Sequence, residues 1–99
     1  MKICFLVLVE YQTENVMELL STLKIDYYTR WDNTTGKGHE TEPHWGKGTY
    51  SSTNVVLMIA FENEAPLALL TNSIKIKNES IKRPSDKIRL FVMPMIDMV

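Results

Sequence analysis

Residues 54–61 read Asn-Val-Val-Leu-Met-Ile-Ala-Phe, an apolar run that stops at Glu62-Asn63-Glu64. A run this short, rich in branched side chains and followed by a residue type that caps helices, fits a strand covered on both faces better than a helix. A second run of the same kind opens the chain, from Lys2 to Glu10. Both belong in the interior of a sheet.

The segments around these two runs complete the order. From Thr13 the period changes: Val16, Leu19, Leu20 and Leu23 fall on one helical face, with Thr13 as N-cap and Glu14 at the positive end, which predicts a helix from Glu14 to Lys24. Ile25, Tyr27, Thr29 and Trp31 then alternate with Asp26, Tyr28, Arg30 and Asp32, the pattern of an edge strand with one wetter face. After Phe61, Asn63 is placed to cap a second helix, Pro66 lies in its tolerated first turn, and Leu67, Leu70 and Ile74 give it a buried stripe. Lys82 to Asp86 contains Pro84 and reads as a turn. Ile88, Leu90 and Val92 then alternate with Arg89, Phe91 and Met93 as the other edge strand. The order strand, helix, strand, strand, helix, strand is an α+β, ferredoxin-like βαββαβ arrangement in one domain spanning residues 1–99. Right-handed crossovers put strands one and three in the middle and two and four outside. Two helices cover one face of such a sheet, yet strands one and three are apolar at successive positions. The second face calls for another subunit.

Lys and Arg total 11 against 12 acidic residues, a net charge of -1 that offers no broad field for nucleic acid or an anionic membrane. The apolar run near the N-terminus is too short to span a bilayer and no small-residue cleavage site follows it, so the expected location is cytoplasmic. Cys4, the single cysteine, lies within that run and is expected to be buried as a small hydrophobe.

Between the second and third strands lies the segment 33–53, where a hairpin ordinarily needs about two to five residues. All four glycines of the chain (Gly36, Gly38, Gly46 and Gly48) and both histidines fall in it. Gly36-Lys37-Gly38 and Gly46-Lys47-Gly48 let backbone N–H groups approach an anion while a lysine supplies charge, although neither matches a phosphate-loop or dinucleotide pattern. Lys82, Arg83 and Lys87, in the turn before strand four, add cations. His39, Glu40, Glu42 and His44 form a competing set of metal-ligating types for zinc, copper or nickel. Met93, Met95 and Met98 could supply thioether ligands for Cu(I), but an apolar strand end and tail explain them more simply. No nucleophile elbow or defined carboxylate pair points to catalysis, and the chain reads as a non-enzyme. Trp45 and Tyr50 are the few apolar anchors in the segment, which predicts a mobile loop.

The element order with its long insertion, Gly36-Lys37-Gly38-His39, and the strand 54–61 leading into Glu62-Asn63-Glu64 together resemble the PII signal-transduction family and its PII-like relatives. The resemblance implies a cytoplasmic homotrimer with sheets facing inward and an effector held in clefts between subunits. The cleft lies where the root of the long T-loop meets the loop before strand four. On that basis Gly36, Lys37, Gly38, Lys82, Arg83 and Lys87 are the effector-binding candidates, and His39, Glu40, Glu42 and His44 the metal candidates. No particular cofactor is implied. In PII proteins the loop before strand four is glycine-rich and cradles phosphates; here residues 81–87 contain no glycine. ATP is therefore expected to bind weakly. Short PII-like proteins are often associated with membrane transporters, including heavy-metal efflux systems, which makes a transporter or efflux pump the expected partner. Tyr50 lies in the T-loop, but no local match carries a modification to it. Two alternatives share the fold: a divalent-metal-binding trimer of the cation-tolerance type, and a small ferredoxin-like dimeric enzyme.

Overall fold

The computed structural model describes residues 1–39, 42–46 and 52–99. Four strands, β1 (Lys2–Val9), β2 (Thr29–Thr34), β3 (Asn54–Phe61) and β4 (Arg89–Pro94), form one antiparallel sheet in the order β2-β3-β1-β4. Helices α1 (Thr13–Thr22) and α2 (Glu64–Glu79) connect them, and short 3-10 turns precede α1 at Glu10–Gln12 and β4 at Pro84–Asp86. The two apolar runs are the central pair, in the register Cys4↔Ile59, Leu6↔Leu57 and Leu8↔Val55.

Alternate residues of this pair point to opposite faces. Cys4, Leu6, Leu8, Val55, Leu57, Ile59 and Phe61 are buried beneath the helices, which contribute Val16 and Leu20 from α1 and Leu67, Leu70 and Ile74 from α2. Full burial of each such aliphatic side chain contributes about 1.5–3 kcal/mol. Facing the other way are Ile3, Phe5, Val7, Val56, Met58 and Ala60, all partly exposed. Their cross-strand neighbours Trp31, Phe91 and Met93 are 45%, 53% and 43% exposed. That face is apolar over most of the sheet, interrupted by Thr29 and Arg89, and among the described residues no layer covers it.

Three local expectations are corrected. α1 begins at Thr13 itself, with Gln12 in the cap position, and the Thr13 hydroxyl donates back to the Glu10 carbonyl at 2.6 Å. The helix stops at Thr22 because Lys24 takes a left-handed φ of 60°. Asn63 occupies the N-cap of α2, yet its side chain makes no capping hydrogen bond. β2 starts at Thr29 rather than Ile25: Ile25 is driven into the core, and Tyr27 packs edge-on against Phe61, before the chain reaches pairing distance of β3 at Thr29↔Met58. The register then shifts between Trp31 and Thr34, with Asn33 at φ 57°.

Candidate anion-binding cleft

The ends of β1 and β2, the starts of β3 and β4, and both flanking loops meet at one end of the sheet. Thr34 and Asn54 set the root of the long loop: the Thr34 hydroxyl donates to the Asn54 carbonyl at 2.7 Å. The loop then closes on itself, Gly36 N–H donating to the His44 carbonyl at 3.0 Å and His44 N–H to the Gly36 carbonyl at 2.7 Å. A Cβ at Gly36 would lie 2.8 Å from the Asn54 amide nitrogen, so a larger residue there would displace the Asn54 side chain that meets His44. Pro43 is buried, an anchor that its sequence context did not suggest.

A cavity of about 450 Å3 opens beside this root. Gly36, Lys37, Gly38 and Lys87 line it, joined by Glu42, His44 and Arg89. Among its described lining residues Lys37, Lys87 and Arg89 are the cations and Glu42 the carboxylate, a balance of charge suited to an anion. The Lys37 ammonium donates to the Gly38 carbonyl at 3.1 Å, and the Gly36 N–H is committed to His44. Arg89 was legible only as the wet partner of Ile88 in the alternation of β4. It lies opposite Val7 on the open face.

Lys82 and Arg83 are not in the lining of this cavity. They line a separate one with Tyr11, Lys77 and Asp86. Arg83 reaches back to the cleft all the same, pairing with the Glu42 carboxylate and lying 3.9 Å from Asp86. His44 Nδ1 lies 2.7 Å from the Asn54 amide oxygen, a hydrogen bond, while Nε2 lies 4.0 Å from the Asp86 carboxylate, beyond hydrogen-bond range. The contact with an amide oxygen puts a proton on Nδ1. The nearby Tyr11 hydroxyl has its pKa raised, by desolvation first and then by the Asp86 carboxylate.

Of the metal candidates, Glu42 is turned to Arg83, His44 to Asn54 and Asp86, and His39 is exposed outside the cavity lining. Glu40 lies outside the described residues, as do Gly48 and Tyr50. Among the described residues no group of three or more His, Cys, Asp or Glu side chains converges. At the opposite end of the sheet a second concavity of about 530 Å3 is lined by Tyr27, Tyr28, Met58, Glu62, Pro66 and Met98, among others. Among the described residues no helix is long and apolar enough to cross a membrane.

The architecture is thus a ferredoxin-like α+β sheet with a long β2–β3 loop folded against the turn before β4. No family model and no curated protein sequence matches the chain. Solved structures do. CPII from Thiomonas intermedia K12, bound to ADP and bicarbonate, superposes with a TM-score of 0.71 at 18% identity, covering 93% of this chain and 82% of that one. A CPII structure bound to ADP, AMP and acetate gives 0.67 at 19% identity, with 92% and 81% covered. A protein from Thermus thermophilus described as PII-like and signalling gives 0.57 at 17% identity, with 93% and 83% covered. The fold is that of the PII-like proteins.

Proposed function

We propose that the chain is a PII-like regulatory protein that binds a small anionic effector at the cleft and reports occupancy through the 33–53 loop. The observation that carries this reading is the convergence of Lys37, Lys87 and Arg89 on a cavity whose rim is the loop segment Glu42–His44. An anion there meets cations from the loop root and from the start of β4 together, so its arrival changes the balance of charge that holds the loop. The ligands of CPII, a nucleotide with bicarbonate or acetate, support small oxyanions and adenine nucleotides as the class.

The apolar open face supports assembly, and the proposed state is a homotrimer. A cyclic assembly brings unlike edges together. The charged cleft of one copy facing the tyrosine-lined concavity of the next would give a nucleotide a phosphate side and a base side. The glycine-free turn 81–87 offers fewer backbone N–H groups for a triphosphate, so ATP is placed below ADP and AMP in affinity. The proposed recipient of the signal is a membrane transporter, with the loop as the contacting element.

Calorimetry with bicarbonate, acetate, AMP, ADP and ATP on the native chain and on Lys87→Ala/Arg89→Ala tests the site. At least one of these anions is expected to bind the native chain, with affinity at least about tenfold lower in the double variant, since charge-assisted contacts are the stronger class. Affinity equal in both chains, or no binding of any anion, would refute the assignment.

A further inference from the structure

On the outer side of the 81–87 turn, away from the cleft, a cavity of about 480 Å3 lies between the start of α1 and the end of α2. Its lining includes Lys77, Lys82, Arg83, Tyr11 and Asp86. In a chain of net charge -1, three cations about one concavity are a local excess. Among the described residues no ion pair involves Lys77 or Lys82. The carboxylate of Asp86 is already approached by the Arg83 guanidinium at 3.9 Å. Behind it the wall is braced by Gln12, 7% exposed, which accepts from the Asn15 amide at 3.2 Å.

Arg83 belongs to both sides of the turn. Its stem lines the outer cavity, and its guanidinium is already holding an oxyanion, the carboxylate of Glu42 from the loop. A planar guanidinium with two flanking ammonium groups is matched to a tetrahedral oxyanion better than to a single carboxylate.

We propose that this outer cavity is a second oxyanion site, for a phosphate or phosphoryl group held by Lys77, Lys82 and Arg83, and that its ligand competes with Glu42 for Arg83. With Arg83 drawn outward, the segment 42–46 keeps the His44 contacts and loses its ion pair to the turn. Occupancy therefore loosens the loop, and reciprocally an engaged Glu42 weakens the anion. The Glu42–Arg83 pair is solvent-exposed, at 55% and 62%, so the coupling is about threefold rather than a hundredfold. The binding claim is independent of the cleft; only its regulatory consequence rests on the reading of the loop as the signalling element.

The test is titration of the full chain with inorganic phosphate at constant ionic strength, followed by backbone amide NMR and amide exchange. Saturable shifts are expected at the amides of Lys77, Lys82 and Arg83. Affinity read at those three amides should fall at least about tenfold in Lys77→Ala/Lys82→Ala and stay within about twofold in Lys75→Ala, an exposed lysine of α2 outside both cavity linings, because charge-assisted contacts decide it. Glu42→Gln should tighten phosphate about threefold, and saturation should raise exchange of the His44 and Gly36 amides by a similar factor. All these side chains are partly or fully exposed, so the variants retain the core, which unchanged exchange at Leu6 and Ile59 verifies. Phosphate affinity unchanged in Lys77→Ala/Lys82→Ala, or shifts confined to the Lys37 and Lys87 amides, overturns the outer site, the second result locating phosphate in the cleft alone. Unchanged His44 exchange at saturation together with unchanged affinity in Glu42→Gln overturns the competition for Arg83. Failure of the cleft reading shows separately, as bicarbonate and nucleotide binding that ignores Lys87 and Arg89.

Discussion

Asn78 is the joint on which the geometry of both cavities depends. Its side-chain amide donates to the Ile88 carbonyl at 2.8 Å and its amide oxygen accepts from the Ile88 N–H at 2.8 Å, so one side chain of α2 stands in for a neighbouring strand just before β4 begins. Ile88 is 1% exposed, and water has little access to those two backbone groups once the amide is removed. Each buried group left unpaired costs about 1–3 kcal/mol, which puts Asn78→Ala at about 2–4 kcal/mol after partial relaxation. For a chain of this size that corresponds to a fall in Tm of roughly 10–25 °C. Asn78→Asp keeps an acceptor for the Ile88 N–H but sets an oxygen against its carbonyl, and most of the loss should remain. Urea unfolding followed by circular dichroism, at fixed protomer concentration because assembly adds stability by mass action, measures the effect. Since Lys87 and Arg89 flank Ile88, anion affinity of the folded variant should fall as well. A loss under about 0.5 kcal/mol, the range of an ordinary surface change, would show that the amide does not hold this turn to the helix.

Other expectations follow from the open face, the buried thiol and the loop. Phe5→Glu/Met58→Glu places charge on the apolar face and should convert a species of about three times the 11.4 kDa chain mass into a monomer in light scattering; unchanged mass would locate the interface elsewhere. Burial pushes the Cys4 thiol up to about 11, opposed by a backbone hydrogen bond with Ile59. At pH 8 only about one thiol in a thousand is ionised, so Ellman's reagent should label native protein far more slowly than urea-unfolded protein. The thiol is protonated in the folded chain and ionises above about 8.5 in the unfolded one. Its contribution is complete below that pH and lost as pH rises toward about 11, a decline that Cys4→Ala should lack. Titration with Zn2+, Cu2+ and Ni2+ should show no tight binding, because Glu42 is paired with Arg83 and His44 with Asn54 and no ligand cluster converges among the described residues; tight binding that disappears in His39→Ala/His44→Ala would return the loop histidines to a metal site.

The sheet was legible because its signals are local and redundant. β3 spans the residues its apolar run delimits, and the stripe Leu67, Leu70 and Ile74 is the buried face of α2. The start of β2 was not, because alternation from Ile25 to Asp32 is the same whether a residue faces a neighbouring strand or fills the core on the way to it. Only the position of Phe61 decides that Tyr27 stacks on a ring instead of joining the ladder. The cleft was half legible. Lys37 and Lys87 came from loop composition and they do converge, whereas Lys82 and Arg83 are separated from Lys87 by the 3-10 turn at Pro84–Asp86, which sends neighbouring cations to opposite sides. Charge counts carry no such direction.

That division bears on how the loop glycines are to be understood. Gly36 read as a backbone donor for an anion, but its N–H is bonded to the His44 carbonyl and its missing Cβ makes room for Asn54, the residue whose oxygen meets His44. Gly46, at φ 75°, donates to the Ser52 carbonyl, and a Cβ there would lie 2.8 Å from the Thr53 side chain. Gly46 is thus called for by its backbone, and Gly36 by the room it leaves for the Asn54 side chain, where the described ends of the loop close on themselves. The anion chemistry of the cleft then falls to side chains, Lys37, Lys87 and Arg89. Side-chain cations tolerate ligands of different shape, whereas a backbone cradle is cut to one. A cleft of this kind selects by charge and size more than by the detailed geometry of a phosphate chain, which is why small oxyanions are the first ligands to try.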